Sequence, residues 1–141
     1  MTQVQKRRFT RINFSREVTL DFPDRSYYSC RTKDLSLSGM FVHSKSAESE
    51  GSCCRVVLRQ VGPGTDLTII MTAKVVREDR EGMAIEFTSM AFDSYMFLQI
   101  ILLYEAEDPF NICLEYPENC PFELIDTDSA DRDRAKRTNY Q

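Results

Sequence analysis

The sequence predicts a mainly β fold, a small antiparallel barrel or sandwich that is followed by one helix. Between residues 17 and 87, apolar and polar residues alternate in short runs that end at glycine, proline, serine or aspartate residues. This period of two is typical of half-buried strands. From residue 92 onward the apolar spacing changes to that of a helix. Six runs follow the strand pattern: residues 17–22, 27–33, 40–43, 54–61, 67–77 and 83–87.

The run 67–77 is the clearest strand, because apolar residues occupy nearly every second position. A Gly-Pro-Gly turn at 62–64 separates it from the strand before it, and a turn at 78–82 leads into the strand after it. We therefore expect 67–77 and 83–87 to form an antiparallel hairpin.

The predicted helix covers residues 92–106. Asp93 could cap its start, and Pro109 follows its end. A broad apolar face indicates that the helix packs on an open barrel mouth or on a dimer partner. With Gln99 as a polar exception, this face is assigned to Phe92, Tyr95, Met96, Leu98, Leu102, Leu103 and Ala106. Residues 110–125 predict a packed loop or a short strand, and the charged segment from residue 126 predicts a disordered tail.

The distribution of charge indicates a small anionic ligand. The composition of the 141-residue chain is ordinary for a soluble protein, and its formal net charge is −4. Proteins that bind DNA, RNA or membrane surfaces are usually basic, so these partners are disfavoured. Residues 1–11 nevertheless carry four cations and no acid: Lys6, Arg7, Arg8 and Arg11. A basic arm on an acidic body suits a compact anion better than a long polyanion.

The cysteines and the single histidine, His43, argue against a metal site and against disulfides. The chain has 5 cysteines, and their spacing fits neither a disulfide framework nor a zinc site. Cys53 and Cys54 are adjacent, which suits neither kind of bond. We interpret the cysteines as reduced packing residues of a cytoplasmic protein. The N-terminus has no secretory signal, and the apolar stretch 95–104 is about half the length of a membrane span.

Two short motifs carry the chemistry of the sequence. The first is R-x-x-x-R, formed by Arg7 and Arg11, and the second is D-x-S-x-x-G, formed by Asp34, Ser36 and Gly39. A guanidinium matches phosphate oxygens and the O6 and N7 edge of guanine, and it can stack on a base. An aspartate accepts bonds from the N1–H and N2–H2 groups of guanine, a serine hydroxyl bonds a phosphate or a base, and glycine permits a close approach or a positive φ. Each motif alone is common in turns and on solvated surfaces.

In their order and placement, the two motifs resemble those of the PilZ domain family. Residues 73–77 and 82–87 also resemble later strands of that family, and the resemblance covers roughly residues 5–106. It implies a six-stranded antiparallel barrel with a C-terminal helix, which binds the bacterial second messenger cyclic di-GMP and catalyses no reaction. By position, it implies ligand contacts from Arg7, Arg11, Asp34 and Ser36, a third arginine contact from Arg8, and a backbone path permitted by Gly39.

Three parts follow along the chain. Residues 1–15 are expected to be a flexible basic ligand-binding arm, residues 16–106 a PilZ-type barrel with its helix, and residues 107–141 a partly disordered extension. We expect the arm to be mobile because its charges repel one another and it has few apolar anchors. A dianionic ligand would order it on the barrel and change the surface offered to a downstream protein.

Other functions stay open at this point. A protein interaction module of the same fold could work through the helix 92–106 without a nucleotide, and the helix could also form a homodimer. A thiol enzyme that uses Cys53 or Cys54 is less favoured, since no catalytic motif accompanies them. The sequence decides neither the ligand stoichiometry nor the oligomeric state, nor whether the regulated process is motility, exopolysaccharide synthesis or another.

Overall fold

The computed structural model describes residues 9–46, 48–62, 65–115 and 120–125. In this part of the chain the strands are β1 (Ile12–Asn13), β2 (Glu17–Asp21), β3 (Ser26–Leu35), β4 (Gly39–His43), β5 (Cys53–Gly62), β6 (Thr65–Glu78), β7 (Gly82–Ala91) and β8 (Glu123–Ile125). The helices are α1 (Phe92–Glu105) and α2 (Pro109–Glu115). Each of the strands predicted from the sequence is present as one of β2 to β7.

Six strands close into an antiparallel barrel. Around the ring, β2 pairs with β3, β3 with β4, β4 with β7, β7 with β6, β6 with β5, and β5 again with β2. Closure leaves none of these strands with an unpaired edge that could bind another chain. The predicted fold, a six-stranded antiparallel barrel followed by a helix, is confirmed.

The barrel interior is filled by the apolar residues that alternate along the strands. In β6 the inward side chains are buried while Thr72 and Lys74 between them are exposed. Burial of alternating apolar side chains in a closed ring supplies the main stabilising contribution to such a fold. The buried residues of β6 are Ile69, Met71, Ala73 and Val75.

Residues 9–15 pack on the barrel ahead of its first strand. Within them, β1 pairs with the end of β3. Phe9, Ile12 and Phe14 are each more than nine-tenths buried and belong to the hydrophobic core. The expectation of few apolar anchors is therefore wrong for residues 9–15. Their apolar residues follow no regular period, so the sequence pattern gave no sign that they were buried.

The packing face of helix α1 matches only part of the face that the sequence indicates, since Tyr95, Leu98 and Leu102 are buried as expected. Phe92 and Met96, which were assigned to the packing face, are 55% and 56% exposed. The helix is apolar around most of its circumference, so residue spacing alone could not select the buried side. Asp93 does not cap the helix, because the capping position is Ala91. The buried residues are Ser94, Tyr95, Leu98, Ile101 and Leu102.

The segment after α1 returns to the barrel. For residues 110–125 the sequence predicts a packed loop or a short strand, and the short strand is present as β8, which pairs in parallel with β7. Helix α2 was not predicted, since its 7 residues are too few for a clear helical period. Phe122 is buried next to β8 and packs edge-on against Phe87 and Tyr95, with ring centroids 6.2 and 5.3 Å apart. The predicted tail from residue 126 lies outside the described residues.

The cysteines form no disulfide, and all 5 are free. Burial, together with the charges of Cys53, Asp21 and Glu48, raises the pKa of the Cys54 thiol to about 12, so its reactive thiolate is disfavoured. Within the described ranges, no group of three or more His, Cys, Asp or Glu side chains could hold a metal ion. Neither helix of this part of the chain has the length and apolar character needed to cross a membrane.

Candidate ligand site

The two sequence motifs meet at an ion pair. Strand β1 places Asn13 opposite Asp34 of β3, and this pairing brings Arg11, two residues before Asn13, to the same side chain. Arg11 Nη1 donates to Asp34 Oδ1 over 2.9 Å. The two side chains are only 25% and 19% exposed, so their attraction is screened less than that of a surface pair.

Asp34 also connects this pair to the neighbouring strand. Its Oδ1 accepts a second hydrogen bond from the backbone amide of Phe41 in β4, at 3.1 Å. The pairing of β3 with β4 is irregular between Thr32 and Asp34, and a side-chain acceptor can satisfy a backbone donor at such a point. Asp34 therefore fixes the position of Arg11 relative to the barrel.

Ser36 holds the turn between β3 and β4. Its backbone amide donates to the carbonyl of Gly39 at 2.8 Å, and its Oγ accepts from the amide of Ser38 at 3.2 Å. The hydroxyl also lies 3.3 Å from the Gly39 carbonyl oxygen and from Ser38 Oγ. Only 1% of Ser36 is exposed. Its hydroxyl thus has structural partners inside the turn.

Gly39 is required by the close approach of β7. A Cβ at this position would lie 2.2 Å from the carbonyl oxygen of Ile85, far inside van der Waals contact. Gly39 pairs opposite Glu86 in the β4–β7 ladder. The space between two strands therefore accounts for the last residue of the second motif.

A pocket of about 280 Å³ lies where the residues before β1, the β3–β4 turn, β7 and the segment before β8 come together. Arg11, Ser36 and Ser38 line it from the two motifs, and the other lining residues are Phe9, Glu86, Phe87 and Pro121. Asp34 is not among the lining residues, which agrees with its place behind Arg11. Arg7 and Arg8, the other arginines of the predicted site, lie outside the described residues.

Five lining residues were not predicted from the sequence as site residues: Phe9, Ser38, Glu86, Phe87 and Pro121. Phe9 and Ser38 occupy unspecified positions inside the two motifs, and Glu86 is the single exposed residue of a strand whose other residues are buried or half-buried. Pro121 lies in the extension 107–141, in which the sequence shows no binding motif. The register of β4 against β7, which sets Glu86 opposite Gly39, is the signal that would have found Glu86. That register depends on tertiary pairing and not on a local motif.

Two further cations lie beside the strand that Asp34 bonds. The Lys33 ammonium lies 5.5 Å and the Arg77 guanidinium 5.9 Å from the centroid of the Phe41 ring. Both are within the range of cation–π attraction. Both cations therefore lie beside Phe41, whose backbone amide bonds Asp34.

Comparison with known proteins gives one family and several similar folds. A family model described as the PilZ domain matches residues 5–103. No curated protein matches the chain. Among solved structures, the chain is similar to the PilZ domain of YcgR from Escherichia coli with c-di-GMP, at a TM-score of 0.57 and 18% identity, covering 72% of this chain and 92% of that one.

Two other structures share the fold. The Bacillus subtilis inhibitor of motility MotI/DgrA has a TM-score of 0.58 and 20% identity, and the match covers 70% of this chain but only 50% of that chain. The chain thus spans about half the length of that protein. The PilZ domain of CeSA from a cellulose synthesizing bacterium has a TM-score of 0.50 and 21% identity, covering 67% of this chain and 93% of that one.

Proposed function

Because the chain belongs to the PilZ domain family, we propose that it is a bacterial receptor that binds cyclic di-GMP and regulates a downstream protein, without catalysing a reaction. The observation that carries the proposal is the contact between Arg11 and Asp34 at 2.9 Å. It joins two motifs that lie far apart in the sequence at the edge of one pocket. Both motifs are complete in this chain, which favours a member that binds its ligand.

Arg11 is the described residue best suited to contact the ligand. A guanidinium carries five N–H donors, and the bond to Asp34 accounts for one of them. Because Arg11 also lines the pocket, other donors of the same group can bond a phosphate or the O6 and N7 edge of a guanine. We assign the same chemistry to Arg7 and, as a third contact, to Arg8.

The second motif acts mainly by positioning in this proposal. Asp34 holds the Arg11 guanidinium, Ser36 holds the turn on which Ser38 is placed, and Gly39 allows β7 to approach. Ser36 and Ser38 both line the pocket, so their hydroxyls can add hydrogen bonds to the ligand. A direct contact between Asp34 and a guanine edge remains part of the proposal, through the second oxygen of its carboxylate.

Ligand binding would change the surface of the protein near the arm. The pocket is at the lower limit of the roughly 300–1,000 Å³ typical of pockets for small organic ligands, so a cyclic dinucleotide would extend beyond it. Neutralising several arginines with two phosphates removes their mutual repulsion and favours a closed arrangement of the arginines around the pocket. A partner protein would bind that altered surface. We place the receptor in the bacterial cytoplasm, where free cysteines stay reduced.

Calorimetric titration of the full chain with cyclic di-GMP tests the proposal, with GTP and cyclic di-AMP as competing ligands. We expect saturable binding of cyclic di-GMP at micromolar concentrations and recovery of the dinucleotide intact. Arg11→Lys should weaken binding about tenfold or more, because an ammonium cannot reproduce the planar fork. Arg59→Lys is the matched control, since Arg59 is exposed and bonds Asp66 instead of lining the pocket. Absence of heat with the wild-type chain would overturn the proposal.

The second candidate is an interaction module that needs no nucleotide. It is favoured by an apolar stripe on α1, in which every fourth residue is between 46% and 85% exposed: Phe92, Met96, Ile100 and Tyr104. Two copies that cross antiparallel about a twofold axis would set Phe92 against Tyr104 and Met96 against Ile100, so the stripe is complementary to itself. Sedimentation of the wild type and of Met96→Lys tests this homodimer, which predicts dissociation of the variant. A monomeric wild type would contradict it.

A further inference from the structure

We infer that Glu86 is a specificity-determining residue of the ligand pocket, whose carboxylate accepts hydrogen bonds from the donor edge of a guanine base. The inference rests on the proposed function, since it names the group that would distinguish guanine from adenine in the same pocket. Neither sequence motif contains Glu86. The inference is drawn from the position of Glu86 in the fold and from the chemistry of its neighbours.

Asp34 can offer a ligand in the pocket at most its second carboxylate oxygen. Asp34 Oδ1 already accepts from Arg11 Nη1 and from the amide of Phe41, and Asp34 is absent from the pocket lining. Ser36 Oγ has partners within its own turn. Glu86 is the acidic side chain among the lining residues, so its carboxylate is the strongest acceptor that the described pocket offers.

Glu86 is free to turn toward a ligand. Its side chain is 54% exposed, and its ion pair with Lys74 is long, at 3.9 Å between half-exposed groups. An exposed pair of this kind stabilises a protein little, so a ligand can displace it at little cost. On the other side of β7, the residue opposite Glu86 is Gly39, which has no side chain that could cover the carboxylate.

A carboxylate repels the phosphates of a dianionic ligand, so it favours binding only if the ligand also presents hydrogen-bond donors to it. Guanine carries N1–H and N2–H2 side by side on its Watson–Crick edge, and these can bond both oxygens of one carboxylate. Adenine presents a lone pair at N1 beside its N6 donor, so the same carboxylate would repel its N1. Charge-assisted bonds are stronger than neutral ones, and an unpaired polar group is costly. Glu86 would therefore favour guanine and disfavour adenine.

The rest of the lining is suited to hold a base at this position. Phe9, Phe87 and Pro121 give the pocket apolar surface, against which a flat ring can pack. Arg11 lies in the same lining and can take the phosphate or the O6 and N7 edge. One guanine nucleotide would thus meet a cation on its acceptor groups and an anion on its donor edge.

The test compares binding of cyclic di-GMP and cyclic di-AMP by calorimetry for the wild type, Glu86→Gln, Glu86→Ala and Lys74→Gln. We expect both Glu86 variants to lose about tenfold in affinity for cyclic di-GMP while affinity for cyclic di-AMP is unchanged or rises. Lys74→Gln, which removes the ion-pair partner but leaves the pocket lining intact, should keep the wild-type ratio of the two affinities. Because Glu86 is exposed, we expect all four proteins to have the same melting temperature within a few degrees.

Two results would overturn the inference, and they differ in what they say about the proposed function. If the wild type binds cyclic di-GMP and both Glu86 variants keep its affinity and its ratio, the receptor function stands and Glu86 is a solvated partner of Lys74. If the wild type binds neither dinucleotide, the receptor function and the role of Glu86 fail together.

Discussion

The Arg11 guanidinium and the Asp34 carboxylate are joined by a 2.9 Å hydrogen bond, although 23 residues separate them in the sequence. The bond is made possible by the short pairing of β1 with the end of β3. It places Asp34 behind Arg11 with respect to the pocket, since Arg11 lines the pocket and Asp34 does not. An aspartate in that position can influence a ligand without touching it, through the geometry of the arginine.

Double-mutant coupling measures this relationship. Arg11→Ala and Asp34→Ala should each weaken cyclic di-GMP binding about tenfold, and the double variant should be only slightly weaker than either, because Asp34 acts mainly by positioning Arg11. Calorimetry on the four proteins gives the coupling. Losses that multiply to about a hundredfold would show that Asp34 contributes through a contact of its own.

A substitution at Gly39 tests whether the last residue of the second motif has a structural role or a ligand-binding role. Gly39→Ala should lower the free energy of unfolding by about 1–3 kcal/mol, because the new methyl group would overlap the Ile85 carbonyl oxygen and push β4 from β7. Urea unfolding followed by circular dichroism measures the change. Gly51→Ala is a useful comparison, since no atom lies within 4 Å of its added Cβ and only its φ of +91° opposes the substitution. If Gly39→Ala were as stable as the wild type, Gly39 would have no structural role, and its only role would be in ligand binding.

The strands were predictable because alternation is a local signal. Each inward residue of β6 could be named from the sequence, since a closed barrel buries one side of every strand. The buried face of α1 was only partly predictable, because the helix is apolar around most of its circumference and its spacing places the exposed Phe92 and the buried Tyr95 on one predicted face. The period of a helix identifies a face only when the other face is polar.

Only the part of the candidate site that belongs to local motifs could be predicted from the sequence. Arg11 and Ser36 belong to motifs that can be recognised from their spacing, and both line the pocket. Glu86 and Pro121 reach it through strand register and through the return of the chain after α2, which no short pattern encodes. Phe9 was hidden for another reason, since a single aromatic residue in a basic segment has no period to reveal its burial.

Because of Cys54, the free energy of unfolding should depend on pH in the alkaline range. Its folded-state pKa is raised by burial to about 12 from an ordinary value of 9.0, so above about pH 9 the unfolded chain loses this proton and the folded chain keeps it. The free energy of unfolding should then fall as pH rises from 9 toward 12, with a slope of at most about 1.4 kcal/mol per pH unit from this group. Urea unfolding under reducing conditions between pH 7.5 and 10.5 measures the slope. Cys54→Ala should reduce the slope, whereas Cys113→Ala, which removes an exposed thiol from α2, should not. Equal slopes in all three proteins would contradict the assignment.

The segment at residues 120–125 should be part of the working domain although it lies beyond the family match, which ends at residue 103. Phe122 is buried against Phe87 and Tyr95, and the residue before it lines the pocket. Phe122→Ala should therefore lower the free energy of unfolding by about 3–5 kcal/mol and weaken cyclic di-GMP binding, because the pocket loses the support of one wall. Phe110→Ala removes the same ring from a position that is 73% exposed, so it should change stability by no more than about 0.5 kcal/mol. Urea unfolding measures the stability of both variants, and calorimetry measures their affinity for cyclic di-GMP. If the two variants had the same stability and the same affinity, the segment would contribute nothing to the barrel.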